Sequence, residues 1–260
     1  GPAVIAAAWG ALPEPLDDYR VLVALATLGL LAVALAFPAP LWARLAFGVA
    51  AAANPVAVRA AWFGTADAPT LLLLFASFAL VLRRRPAWAG AALGAAILTK
   101  QFALAAAPFV VAAVLVSWGR RDALRAVAIG CGVVAAGFLP FLIADPGAVW
   151  TDTVRYGAGT YRIVGYGLSA LLLRAHVLSD RNGAYPFFPL VFAVWLPVTA
   201  FLVRGQLRGR IPWTGCVGFT ASVFVLLFLG RIFQISYLVY PLTGLALTGL
   251  VAVGERDSPG

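Results

Sequence analysis

The chain has 260 residues, of which 63% are hydrophobic and only 11% charged, with a formal net charge of +9. A soluble domain carries roughly a quarter of its residues as charges, so this composition and the mean hydropathy of +0.95 exclude an ordinary soluble fold. The positive charge excludes a nucleic-acid partner too, because it gathers between apolar blocks, at Arg83–Arg85, at Arg120, Arg121 and Arg125, and at Arg204, Arg208 and Arg210; such clusters mark cytoplasmic loops and anionic lipid headgroups.

The apolar blocks are continuous and rich in Ala and Leu, with no alternation, which predicts helices rather than strands. Most approach the ~20 residues that cross a ~30 Å hydrocarbon layer. Residues 3–12 are apolar but too short to span, and residues 13–20 read as a polar turn. The first block is Val21–Phe37, closed by Pro38 and Pro40; the second runs from Leu41 to Ala53 and stops at Asn54-Pro55. A loop from Trp62 to Pro69 precedes the block Ala66–Leu82. From Trp88 to Trp118 the chain is apolar except at Thr99-Lys100-Gln101, and basic clusters flank both ends. One straight helix cannot begin and end on the same side of a membrane, so a hairpin of two short arms is predicted, with Lys100 near its tip. Gly90 and Gly94, four apart, would let one arm pack closely on a neighbour. The block Arg125–Ala144 is followed by a long connection, 145–186, in which Leu168, Leu171, Leu172 and Ala175 repeat at helical spacing, as in a helix lying on the membrane surface. The last blocks are Phe187–Val203, Trp213–Leu229 and Tyr237–Val253.

The expected fold is therefore an all-α integral membrane protein. It is polytopic, with about eight membrane-embedded helical segments including a broken hairpin at 87–118. Residues 1–260 form a single transmembrane domain, and the external loop 145–186 carries the surface helix. Alternation from the arginine clusters places the loops at 54–68, 145–186 and 230–236 outside and the C-terminus in the cytoplasm, in the plasma membrane. Trp42, Trp62, Trp88, Trp118, Trp150 and Trp213 near block ends read as an aromatic belt. Cys131 and Cys216 lie inside apolar blocks and read as small packing residues. The chain holds no methionine and begins Gly1-Pro2, which predicts a piece of a longer protein.

Few residues carry chemistry. Asp67 precedes an apolar block; it either caps that helix or binds a hydroxyl, a sugar or a metal in an external cavity. Lys100 is an ammonium inside an apolar stretch; it either snorkels to the headgroups or binds a lipid phosphate. Arg231, Gln234, Tyr237 and Tyr240 repeat every three residues, the first three on one side of a helix. Arg231 reads as an interfacial anchor or as a phosphate ligand. Arg155, Tyr156, Tyr161, Arg162 and Tyr166 make the long loop basic and aromatic, which suits a sugar face and a membrane interface equally. His176 reads as a solvated residue. The sequence shows no metal-ligand cluster, P-loop, dinucleotide fingerprint or nucleophile elbow.

The run Asn54 to Phe109 resembles the GT-C class of membrane glycosyltransferases, and is most similar to glycosyltransferase family 87 and the GPI-mannosyltransferase-like group. The resemblance lies in Pro55, Gly64, Asp67, Arg83–Arg85, Gly90, Gly94, Lys100 and Pro108, and late in the chain in Gly230 to Leu242, GRIFQISYLVYPL. It implies an enzyme that moves a hexose, mannose by analogy, from a polyprenyl-phosphate donor to a glycan or glycolipid acceptor on the outer face. Lys100 and Arg231 would bind the donor phosphate. Arg59, Gln101, Arg155, Tyr156, Arg162, Gln234 and Tyr237 would contact substrate. Asp67 is the candidate catalytic carboxylate within the chain. The class places its main base in the first external loop, which would lie upstream of Gly1, so this segment alone is expected to be inactive. No cofactor beyond the lipid-phosphate sugar is implied, and a divalent metal is left open. The other readings are a multi-pass transporter or lipid flippase, and a non-catalytic scaffold subunit.

Overall fold

The computed structural model describes residues 13, 18–62 and 67–256. The apolar stretch at 3–12, residues 14–17 of the polar turn, Gly64 and the side chain of Tyr156 lie outside the described residues.

The described chain is overwhelmingly helical. Helix α1 (Tyr19–Leu35) is opened by Asp18, whose carboxylate accepts from Arg20 N at 2.8 Å. Pro38 and Pro40 separate it from α2 (Leu41–Ala52). The expected loop at 54–68 instead holds a short helix, α3 (Pro55–Trp62). Asn54 caps it, accepting from Ala57 N at 2.8 Å, and a proline at the first helical position costs no hydrogen bond. Helices α4 (Asp67–Leu82) and α5 (Pro86–Thr99) are joined through the arginine run. At Lys100 the backbone becomes extended, followed by a 3-10 turn (Gln101–Ala106) and α6 (Ala107–Trp118). Then come α7 (Arg120–Ala144) and α8 (Pro146–Trp150), which continues as a π-helical segment (Thr151–Thr160). Strand β1 (Val164–Gly165) and α9 (Leu168–Arg174) follow. The rest is α10 (Phe187–Gly209), α11 (Pro212–Leu229), β2 (Ile232–Phe233), a 3-10 turn (Ile235–Leu238) and α12 (Val239–Arg256).

Four helical stretches are long and apolar enough to cross a membrane: Gln101–Trp118, Arg120–Ala144, Phe187–Gly209 and Ile235–Arg256. The other apolar helices are 10–17 residues long. The expectation of about eight embedded segments is thus met at full length by four. Prolines 38, 55 and 86 and the break at Lys100 cut the remainder short.

Two ends of the bundle follow from the contacts. Trp118 Nε1 donates to the Val81 carbonyl at 2.9 Å, and the Arg84 guanidinium sits 4.6 Å over the Trp118 ring. The end of α6 therefore returns beside the start of α5, and 86–118 is a hairpin with Lys100 at its far end. Arg83 donates to the Ala36 carbonyl, and Trp213 N donates to Glu255 at 3.1 Å. Phe37, Leu82 and Glu255 line one cavity of about 130 Å³ at this arginine-rich end. The segments 54–62, 100–106 and 230–238 share the opposite end.

Inside the bundle α5 lies against both α4 and α7. A Cβ added to Gly90 would stand 2.1 Å from the Ala126 carbonyl oxygen, and one added to Gly94 would stand 2.6 Å from that of Gly130. The two glycines are the close-packing pair that the sequence predicts, and α7 is the neighbour. Aromatic rings fill the next layer, with Phe47 edge-on to Phe37 at 5.8 Å and to Phe75 at 5.4 Å.

Two expectations are corrected. Arg231, Gln234 and Tyr237 do not share a helix face: Ile232–Phe233 is a strand, paired in parallel with Val164–Gly165, and helical turns begin only at Ile235. The helix expected in the long connection forms at 168–174, with Leu171 outward and Ser169 and Ala170 buried, Ser169 donating to the Gly230 carbonyl at 3.1 Å. Cys131 packs against nothing in the core; it is exposed on α7, most of whose surface faces outward, whereas Cys216 is buried as expected.

Tyr185, just before α10, donates to the Leu229 carbonyl at 2.7 Å, and burial pushes its phenol up to about 12. The folded state therefore favours the neutral phenol. Its contribution to stability is full below the ordinary value of 10 and is lost as pH rises from there toward 12. An ultraviolet titration should show one phenol ionising near 12, and Tyr185→Phe should remove that late step.

Candidate functional site

The far end of the hairpin holds a compact polar cluster. Lys100 sits where α5 ends, and Thr99 beside it turns its hydroxyl to the Ala96 carbonyl at 2.7 Å and to the Thr70 hydroxyl at 2.9 Å. Asp67 is the first residue of α4, one helical turn before Thr70. Lys100 Nζ donates to Asp67 Oδ1 at 2.5 Å. The carboxylate side chain is 2% exposed and the lysine 20%, so the pair is closed on the Asp67 side and partly open on the ammonium side.

Three rings surround the ammonium. Its centre lies 4.9 Å from Tyr237, 5.5 Å from Phe102 and 5.8 Å from Tyr240. Phe102 packs edge-on against both tyrosines, so the cage is held from the 3-10 turn on one side and the start of α12 on the other. Ring faces attract a cation, and the carboxylate offsets the cost of removing it from water. The Tyr240 hydroxyl is fully buried beside Asp67 and Thr70, yet it makes no hydrogen bond of standard geometry. A small cavity of about 10 Å³ borders Asp67, lined also by Thr27, Leu30, Ala51 and Val239.

The structure thus joins three residues named from sequence: Asp67, Lys100 and Tyr237. Arg231 is elsewhere. It is 2% exposed, and its guanidinium donates to the carbonyls of Tyr161 and Arg181, the latter at 3.3 Å. It ties the long connection to the β2 turn. Replacing it with Met should cost about 2 kcal/mol or more, since each hydrogen bond from a charged donor is worth ~1.5–3 kcal/mol. Thermal unfolding and faster proteolysis within 151–163 would register the loss. A fall in catalysis with that connection intact would instead make Arg231 a ligand.

Gln101 and Gln234 are exposed on either side of the cage, and Arg59 is exposed on α3, which packs against the Ile235–Leu238 turn. Arg155 and Arg162 are exposed along the long connection. Sequence reading missed Thr70, Thr99, Phe102 and Tyr240 as members of the cluster. The signal for Tyr240 was its place three residues after Tyr237, a spacing that brings the two rings to one side as the turn at Ile235–Leu238 runs into α12. Among the described residues no group of three or more His, Cys, Asp or Glu gathers to hold a metal. Comparison with known protein families, with curated proteins and with solved structures finds no match to the chain.

Proposed function

We propose that the protein is a membrane glycosyltransferase that takes a hexose, by analogy mannose, from a polyprenyl-phosphate donor and transfers it to a glycan or glycolipid acceptor on the outer face. The observation that carries this reading is the partly open Lys100 ammonium, caged by Phe102, Tyr237 and Tyr240 and paired with Asp67 at the tip of a broken hairpin. A lone cation between an apolar belt and a polar edge fits a lipid whose head is a phosphate and whose tail stays in hydrocarbon. The shorter apolar helices α1, α2, α4, α5 and α11 are embedded beside the four long ones in this reading, giving a polytopic domain in the plasma membrane with its C-terminus in the cytoplasm.

In the reaction, the acceptor hydroxyl oxygen attacks the anomeric carbon as its bond to the phosphate oxygen breaks. The electron pair of that bond leaves with the polyprenyl phosphate, and the hydroxyl proton passes to a carboxylate. Lys100 stabilises the charge that grows on the departing phosphate. Asp67 is the carboxylate within reach of this lysine, Tyr237 lines its cage, and Gln101 and Gln234 are exposed close by in the chain.

A second reading has its own support, since a buried Asp–Lys pair at a helix break is also what a proton-coupled transporter uses. The complete protein in liposomes, given polyprenyl-phosphate mannose labelled in the sugar, separates the two. Label appearing in a lipid or glycan product supports the transferase. Label unchanged in chemistry but moved across the bilayer supports the transporter and overturns the transferase.

A further inference from the structure

Resting on the glycosyltransferase reading of this site, we infer that Lys100 exchanges partners: a lipid phosphate monoester takes the ammonium, and the released Asp67 carboxylate turns to the Tyr240 hydroxyl. Three observations meet in this assignment. The first is charge. Lys100 and Asp67 together are neutral, so the closed pair attracts an anion poorly, although the ammonium is the part left open. A phosphate at the open side must either displace the carboxylate or share the ammonium with it, and both are opposed by the Asp67 charge.

The second is the Tyr240 hydroxyl. A buried hydroxyl nearly always has a hydrogen-bond partner. This one lies beside Asp67 and Thr70 and interacts with both, yet without a bond of standard geometry while Asp67 is engaged by Lys100. A turn of the carboxylate away from the lysine would complete that bond. The third is room. A cavity of about 10 Å³, the volume of roughly one water, borders Asp67 and Val239, the residue before Tyr240. The rings at 4.9, 5.5 and 5.8 Å keep the ammonium centred during the exchange, since they hold it by its charge and not by a directed bond. The exchange couples donor binding to a change of partner at Asp67: the carboxylate leaves Lys100 only when a phosphate is in place.

The test is equilibrium binding of a long-chain polyprenyl monophosphate to the full-length protein in phosphatidylcholine nanodiscs. Asp67→Asn removes the competing charge at almost constant shape and should tighten binding about tenfold or more. Lys100→Met should abolish it. Tyr240→Phe should weaken binding about threefold to tenfold in the wild-type background and leave the Asp67→Asn protein unchanged, because no carboxylate then needs receiving. A merely structural Tyr240 would weaken both backgrounds alike. Unchanged or weaker binding in Asp67→Asn overturns the exchange, as does an equal Tyr240→Phe effect in the two backgrounds. Phosphatidic acid as a second probe identifies the source. Tightening for the polyprenyl lipid alone assigns the exchange to that donor, and equal tightening for both assigns it to any lipid phosphate monoester. The outcome is separable from the enzyme assay. Exchange without sugar transfer leaves this inference standing and sinks the transferase; transfer without tightening in Asp67→Asn does the reverse.

Discussion

Lys100→Met in the complete protein is expected to lower sugar transfer by about 10²–10³-fold, the effect of deleting one well-placed charge-stabilising donor. It should also destabilise the protein by about 3 kcal/mol. The Asp67 carboxylate is 2% exposed and would lose the ammonium 2.5 Å away, and an uncompensated buried charge costs ~3–5 kcal/mol. The low end applies because Lys100 itself is partly open to solvent. The double variant Asp67→Asn/Lys100→Met tells the two effects apart. With both charges gone the stability should return to near the wild-type value, while transfer should stay low. Tryptophan fluorescence melting of the purified protein and a labelled-mannose assay read the two quantities independently. Normal turnover in Lys100→Met would remove the catalytic assignment, and a wild-type melting temperature would mean that the ion pair contributes little to the fold.

Gly90→Val is expected to prevent normal packing of the hairpin, at a cost of about 3 kcal/mol or more. The first side-chain carbon alone would meet the Ala126 carbonyl oxygen at 2.1 Å and the carbonyl carbon at 2.8 Å. Those are backbone atoms of α7, which cannot rotate away as a side chain would, so the two helices must part. Parting them opens the contact along Gly94–Gly130 as well, where small residues let the backbones approach. The loss comes from dispersion and close contact, the main forces joining helices in lipid, and overpacking of this kind typically costs ~1–3 kcal/mol even where side chains can yield. Gly132→Ala, on the partner helix α7, is the control: nothing lies within 4 Å of its added carbon, and alanine has the better helix propensity. It should leave the melting temperature unchanged or raise it slightly. Equal behaviour of the two variants would place the α5–α7 contact elsewhere.

Much of this was legible in the sequence because it depends on local properties. The composition and the length of the apolar blocks set the helical class, and Thr99-Lys100-Gln101 marks the break because one charged residue in a thirty-residue apolar stretch is hard to bury in a straight helix. The basic runs on both flanks required a hairpin, and the Arg84–Trp118 stacking closes it. The spacing of Gly90 and Gly94 marked a close approach before the partner was known. How many of the embedded segments are full-length was not legible, since a hydropathy block does not reveal that Pro55 starts a separate short helix within the expected 54–68 loop.

The sequence by itself determined that the protein is a helical assembly suited to a membrane, broken at Lys100 and closely packed at Gly90 and Gly94. Only the tertiary structure decided which groups those breaks bring together. Asp67 and Lys100 are 33 residues apart and become partners because α4 and α5 run side by side in opposite directions from the arginine turn. Arg231 and Lys100 are both isolated cations next to aromatic residues, and from sequence both fit a phosphate equally well. A guanidinium satisfies itself on carbonyl oxygens as readily as on phosphate oxygens, and the parallel pairing of Val164–Gly165 with Ile232–Phe233 brings the long connection, with the Tyr161 and Arg181 carbonyls, against it. Among the described residues the charge of Lys100 is met by one carboxylate and three rings, and it stays partly open.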